Sequence, residues 1–480
     1  MLNKKPKIAI IGGGVAGVTT ALHLGQLGVE TTLFEKEKTL VTGPPFCHLH
    51  AGGNLYREIS DAQCITLLKQ SIDFLRFYPY VVDYRPTVIA LPTTDKGKAK
   101  DLILRLELLA KEYQKLIDED TNNEVLGESQ TYYKLYERKE LEKLKSSEIV
   151  KKPKTLDEWM IPAAQHLDLD KIQYPVVMVQ EYGLNLFRLA SGSRLALDKM
   201  PSITIHTETE VKAIQKIDEQ WSVEYQQKSE QKEKESFDYI INASGFRTGT
   251  IDDMLNVPCK RMVEFKAAFV SKWQGYEEVL FPEIIIHGER GTPQGMGQFT
   301  PYPNGYVQLH GMTNQITLYD DGLVANSPIS CQPKLGQNFL KKIEESWSEE
   351  ETKERTTLAI KHLCEYLPKF TTATVGSKPL FGAQQIPGDD PTLRVAEISF
   401  PSKQYARCEI IKVSSSIDMV NVLLKELTKH KILNNSQIEK NKIDYLKLIS
   451  EEEIQNKALE IAIQRHYPKD LASRNFPKMF

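Results

Sequence analysis

The first three dozen residues constrain this chain more than any other stretch. Lys7-Ile-Ala-Ile-Ile11 is a short apolar run rich in β-branched residues, the pattern of a strand buried on both faces. Gly12-Gly-Gly-Val-Ala-Gly17 follows without a spacer, so Gly12, Gly14 and Gly17 satisfy G-x-G-x-x-G. Val18 to Leu27 reads as a helix closed by Gly28, and Val29 to Phe34 as a second strand ending at Glu35. Each piece has a physical use. Gly12 permits a tight turn, Gly14 lets main chain approach a pyrophosphate, and Gly17 lets helix and strand pack closely. The helix start, with Val15 and Ala16, offers free N–H groups and positive potential to phosphates. Glu35, eighteen residues beyond Gly17 and followed by Lys36, can accept hydrogen bonds from ribose hydroxyls. The whole predicts a dinucleotide-binding β-α-β unit.

Length and charge narrow the rest. At roughly 100–200 residues per domain, 480 residues allow two to four domains. The balance of 61 basic against 64 acidic residues, a net of −3, argues against nucleic acid as a partner held by a global basic field. Six cysteines without a C-x-x-C pair are too sparse for a disulfide framework and read as free thiols in a reducing, cytoplasmic setting. No apolar stretch reaches the length of a membrane-spanning helix, and Met1 to Ile11 reads as a strand, not an export signal. No metal site is expected.

Three later segments bear on which dinucleotide. Phe237-Asp-Tyr-Ile-Ile-Asn-Ala-Ser-Gly245 is a strand ending in Ala243-Ser-Gly245. Gly382-Ala-Gln-Gln-Ile-Pro-Gly-Asp-Asp-Pro391 is a loop whose Asp389 can hold a ribityl hydroxyl. Ile410 to Ser416 leads into an amphipathic helix, Ile417 to Leu427, whose N-terminal N–H groups, capped by Ser414, Ser415 and Ser416, can face a flavin carbonyl. With the N-terminal unit, these segments resemble the FAD-dependent oxidoreductases of the D-amino-acid oxidase superfamily, which share the glutathione-reductase-like FAD fold. The resemblance covers about half of the chain. Near Gln384 the family usually carries an arginine, and near Ser414 to Ser416 a glycine-rich helix start; neither is present here.

The resemblance implies FAD as cofactor and an α/β fold. A Rossmann-like parallel sheet would bind FAD, an antiparallel sheet would form the substrate domain, and C-terminal helices would close the chain. The FAD domain would take residues 1–95, 170–255 and 375–430, the substrate domain 96–169 and 256–374, and a helical segment 431–480. It also places Ala243 and Gly245 close to the dinucleotide and the backbone at Val211 against the adenine. No second G-x-G-x-x-G occurs, so electrons are expected from a small-molecule substrate. The expected reaction is oxidation of a C–H bond next to an amine or hydroxyl, in an amine, amino acid or hydroxy acid, by hydride transfer to flavin N5. Oxygen or a quinone would accept the electrons. A flavin monooxygenase or halogenase, and a non-catalytic FAD-binding protein, are the alternatives.

Thr39 to Leu55 is too rich in Gly and Pro for a regular element. In the resembled family this position wraps the flavin, a use that Thr42, Gly43, Gly52 and Gly53 fit. His48 and His50 are candidates there for a flavin contact, a proton acceptor or covalent attachment, against a purely structural role; Cys47 reads as packing. Asn304-Gly305 predicts a hairpin whose second strand carries Gln308 and His310, which with Tyr302 are pocket candidates. The charged stretch 95–158 predicts one amphipathic helix through Leu102, Leu106, Leu109, Tyr113 and Leu116 and another around Tyr136 to Leu144. Residues 432–480 predict a surface helix pair. Peripheral membrane docking is the sharper reading of that segment, but it lacks a sustained basic amphipathic face.

Overall fold

The computed structural model describes residues 6–46, 48–52, 59–228, 231–393, 398–434 and 444–474. The strand Lys7–Ile11 is held because its two faces meet different apolar clusters, Ile8 and Ile10 on one side, Ala9 and Ile11 on the other. The helix Val15–Gln26 follows, and Glu30–Phe34 returns parallel to the first strand with Phe34 opposite Ile11. Among the described residues six strands make this sheet. Their order is Ile398–Ser402, Tyr405–Cys408, Tyr239–Asn242, Lys7–Ile11, Glu30–Phe34, Ile203–His206. Neighbours run parallel except the outermost pair, 398–402 with 405–408. Helices Val15–Gln26, Leu186–Asp198 and Ser416–Lys429 cover one face. On the other lie the three-stranded sheet Thr209–Ile217, Gln220–Gln227, Lys232–Phe237 and the helix Thr248–Leu255.

A second sheet is mostly antiparallel and has nine described strands. It runs Leu323–Ala325, Arg261–Lys272, Tyr306–Gly311, Gly297–Pro301, Glu283–Ile286, Thr87–Ala90, Val176–Val179, Tyr133–Tyr136, with Thr374–Pro387 also paired to Arg261–Lys272. The architecture is thus a parallel Rossmann-like sheet, an antiparallel sheet and C-terminal helices. Three runs grouped by sequence with the FAD segments, Thr87–Ala90, Val176–Val179 and Thr374–Pro387, hydrogen-bond into the second sheet instead. Short β-branched runs look alike in either sheet, so periodicity could not assign them. Asn304 and Gly305, at φ +59 and +70, make the expected hairpin turn.

In Arg261–Lys272, side chains alternate between faces. Val263, Phe265, Ala267 and Phe269 enter an apolar core with Ala359, Ile360 and Leu363 of the helix Glu349–Cys364. Glu264, Lys266, Ala268 and Val270 face the other way. The charged stretch folds as predicted into Ile103–Glu119, with Leu106, Leu109 and Tyr113 buried, and Arg138–Lys145. The C-terminal helix Glu451–Gln464 packs Ile454, Ala458, Ile461 and Ala462 against Leu186–Asp198. None of the described helices is long and apolar enough to cross a membrane. Cys47, Gly53 and residues 475–480 lie outside the described residues.

Candidate functional site

The glycines of the first turn differ in what they face. Gly12 has φ +104, and a Cβ there would sit 2.4 Å from the Ala243 carbonyl oxygen. A Cβ on Gly17 would meet the Gly12 oxygen at 1.9 Å, so main chain packs directly on main chain. Gly14 is different. It is the N-cap of the helix Val15–Gln26, and a Cβ there would meet nothing within 4 Å. Gly245, at the end of the Ala243-Ser-Gly segment, likewise has open space.

Glu35 is buried beside this turn. Its carboxylate accepts from the Gly13 N–H at 2.6 Å and the Glu37 N–H at 2.7 Å. Burial raises its pKa to about 7 against those two hydrogen bonds, so a carboxylate is held here at the expense of its ionised form. Lys36 reaches outward to Glu344 at 3.2 Å. Val211 is buried on the adjoining strand.

At the other end of the cradle, Ser414, Ser415 and Ser416 are buried at the start of the helix Ser416–Lys429. The expected side-chain caps do not form. Ser415 donates back to the Lys412 carbonyl at 2.7 Å, because the segment enters the helix through a 3-10 turn. The Ser416 hydroxyl is buried with no hydrogen-bond partner among the described residues. The open space at Gly14, a buried carboxylate at Glu35 and an orphaned hydroxyl at Ser416 fit FAD. Asp389 does not join them: it is 78% exposed and pairs with Lys260 at 3.2 Å. Its loop extends past the end of the strand Thr374–Pro387, farther than the sequence motif suggested.

The second sheet meets the cradle through Thr374–Pro387. A Cβ on Gly43 would touch the Phe381 oxygen at 2.6 Å, one on Gly382 would touch Pro44 at 2.7 Å, and Gln384 donates to the Ile411 carbonyl at 2.8 Å. Lys266 lies opposite Gly382 and Glu264 opposite Gln384 in register, so the charged row of Arg261–Lys272 is brought to the same junction. Lys266 pairs with Glu264 at 2.5 Å, and Arg290 pairs with the other Glu264 oxygen. Burial lowers the Lys266 pKa to about 8, with Glu264 opposing and Arg290 and Lys412 adding to the effect. His310, on the neighbouring strand, is pushed down to about 4 by burial and by Lys266, so it is neutral at physiological pH. Gln308 is buried there and accepts from the Tyr302 hydroxyl at 3.2 Å.

Of the candidate histidines, then, His310 sits in this cluster. Sequence reasoning missed Glu264, Lys266 and Arg290. For Glu264 and Lys266 the signal was present: charges at alternate positions of an otherwise apolar strand must share one face; Arg290 comes from a separate loop.

The His48 and His50 rings lie 4.6 Å apart between centroids, tilted by 59° to one another. His48 is buried, and its Nδ1 lies 2.8 Å from Glu283. Arg85 donates to the second Glu283 oxygen at 3.1 Å, and Gln298 donates to the first at 2.5 Å. Burial alone would raise the Glu283 pKa, but His48 and Arg85 hold it below the usual carboxylate range. His48 thereby ties its loop to the strand Glu283–Ile286 of the second sheet. Gly52 contacts Leu109, where a Cβ would meet its side chain at 2.3 Å. Two recesses, one lined by Arg138, His166 and Lys369 and one by Lys212, Trp221 and Met254, share no residue with this arrangement. No cluster of three or more His, Cys, Asp or Glu suited to a metal occurs among the described residues.

No curated protein matches the chain by sequence. Solved structures with the same fold include glycine oxidase from Geobacillus kaustophilus, at 10% identity and a TM-score of 0.55 over 88% of this chain and 95% of that one. L-amino acid deaminase from Proteus vulgaris aligns at 12% identity and 0.55 over 94% and 97%. Glycerol-3-phosphate dehydrogenase from Bacillus halodurans, solved complexed with FAD, aligns at 11% and 0.56 over 98% of this chain and 74% of that one. The family described as FAD dependent oxidoreductase matches residues 7–391. With that match spanning most of its length, the chain belongs to the FAD dependent oxidoreductase family.

Proposed function

We propose that this enzyme oxidises the C–H bond next to the nitrogen of a small amine that carries a carboxylate, an amino acid or a close relative. The observation that carries the reading is the cluster Glu264, Lys266, Arg290 and His310 at the junction of the two sheets. With His310 neutral and Glu264 countering one of two cations, the cluster keeps a net positive charge at neutral pH, which suits a carboxylate. Amino-acid enzymes of the same fold, glycine oxidase and L-amino acid deaminase, support the amine side of the reading. Bound FAD supplies the two-electron acceptor.

The chain's own residues do the rest. An ammonium nitrogen must lose a proton before its neighbouring C–H bond can give up hydride. The Lys266 Nζ, with a pKa near 8, can hold or release a proton at working pH. Glu264 and Arg290 fix its position through a shared carboxylate. Gly14 and Glu35 hold the adenosine diphosphate half, and Gly17 lets the turn pack closely beneath them. Val211, Ala243 and Gly245 line its path, and Thr42, Gly43, Ser415 and Ser416 border the flavin half.

The test is anaerobic mixing of the purified protein with glycine, D- and L-amino acids, N-methylated amino acids, hydroxy acids and glycerol 3-phosphate. Loss of flavin absorbance with one or more amino acids is expected. Reduction by a hydroxy acid or glycerol phosphate, with none by any amine, would overturn the proposal.

A further inference from the structure

We propose that Arg465, carried on the end of the C-terminal helix, is a cofactor-positioning residue that clamps the loop between the adenosine and flavin ends of the cradle; this rests on the FAD reading above. The loop is Thr39-Leu40-Val41, which joins Glu35 to Thr42 and Gly43. Arg465 donates through Nε to the Thr39 hydroxyl at 2.9 Å, through one terminal nitrogen to the Leu40 carbonyl at 2.6 Å, and through the other to the Val41 carbonyl at 3.0 Å. One planar guanidinium thus satisfies three successive residues, a geometry that lysine cannot reproduce.

The loop needs such a clamp. Val41 has φ +56, a left-handed conformation that a β-branched residue adopts only under constraint. Its N–H donates to the Gly13 carbonyl at 2.9 Å, so the same residue is tied to the glycine turn. Gly13 is in turn hemmed in: a Cβ there would meet Leu40 at 2.7 Å and the Glu35 carboxylate at 2.9 Å. Leu40, Val41, Gly13 and Glu35 therefore form one packed unit, and the direction in which the chain leaves Val41 sets where Thr42 and Gly43 go. On its other side the Arg465 segment is anchored by Tyr467, whose hydroxyl donates to the Pro379 carbonyl at 2.7 Å, on the strand that reaches the cradle. Arg465 lies 5.7 Å from the centre of the Phe187 ring. Burial lowers the pKa of the partly exposed Arg465 to about 10, opposed by the charges of Tyr467 and Glu35.

A loop already in its bound shape spares the cofactor the entropy of ordering it. Arg465 lies outside residues 7–391, so this contribution comes from a part of the chain that the family match does not cover.

Apo forms of the full chain and of Arg465→Lys and Arg465→Gln are titrated with FAD, and the thermal midpoint of each apo form is recorded alongside. The expected result is a Kd raised about 10- to 100-fold in Arg465→Gln, with a smaller rise in Arg465→Lys, corresponding to the loss of a few hydrogen bonds. A Kd within about twofold of wild type in both variants, even with a lowered apo midpoint, would make Arg465 a purely structural residue and overturn the proposal. Hydrogen exchange on the unaltered protein covers the case where neither variant folds. FAD should protect the Val41 amide and residues 462–467 together; protection of Val41 with no change at 462–467 would also overturn it. Failure of the wild-type chain itself to bind FAD would instead overturn the cofactor reading.

Discussion

Glu35 sets up the sharpest test at the level of single residues. Its pKa rises from 4.5 in an unfolded chain to about 7 in the fold, with burial as the main cause. A raised acid favours the folded state while protonated. Its contribution is therefore complete below about pH 4.5 and is lost as pH climbs through about 7, a swing of about 3 kcal/mol at 1.36 kcal/mol per unit. Apo protein should lose stability over that window, and Glu35→Gln should flatten the loss in denaturant titrations at several pH values. FAD reverses the preference, because ribose hydroxyls donate to the ionised carboxylate. FAD affinity should rise with pH up to about 7 in the wild type, by at most about tenfold per unit, and show no such slope in Glu35→Gln. Lys266 gives a second test. Lys266→Met should slow flavin reduction by about 10²–10⁴-fold while FAD stays bound, and should abolish a rise in rate near pH 8. Unchanged reduction in that variant would remove Lys266 from the reaction.

Single elements explain what could be read from the sequence and what could not. The β-α-β unit was legible because its signals are local: a buried run, glycines at fixed spacing, and an acid at the strand end. Those glycines are not equivalent, and the coordinates divide them. Gly14→Ala faces open space and should leave the apo midpoint nearly unchanged while weakening FAD about tenfold or more. Gly17→Ala drives a methyl into the Gly12 carbonyl and should destabilise the fold by about 1–3 kcal/mol, read by thermal unfolding of the apo form. The loop histidines were legible only as residue types. Glu283, the partner of His48, lies more than two hundred residues away on the sheet, and no spacing rule links the two. His48→Gln leaves the buried Glu283 with Arg85 and Gln298 but takes away one of its partners, and should cost about 1–3 kcal/mol of stability. A His48 variant with wild-type stability and slowed flavin reduction would return His48 to the chemistry. The Ser414–Ser416 cap failed because the chain enters that helix through a 3-10 turn, which turns the Ser415 hydroxyl back to Lys412.

Across the whole molecule, the proposed function draws on two sheets brought together from segments scattered along the chain. The cradle draws on residues near 12, 35, 243 and 416, and the charged cluster on 264, 266, 290 and 310. Tertiary register places Lys266 opposite Gly382, which itself packs on Pro44, a relation that no local pattern encodes. That is why the glycine turn and its acid were readable from the sequence and the charged cluster was not. The central claim is that the cradle is built for a dinucleotide, with Glu35 serving the adenosine half. Titration of the apo protein with FAD and, separately, with FMN tests it most directly. The account predicts one FAD per chain and binding of FMN weaker by about a hundredfold or more, since FMN reaches neither Glu35 nor Val211. FMN binding as tightly as FAD, or no uptake of either flavin, would contradict it.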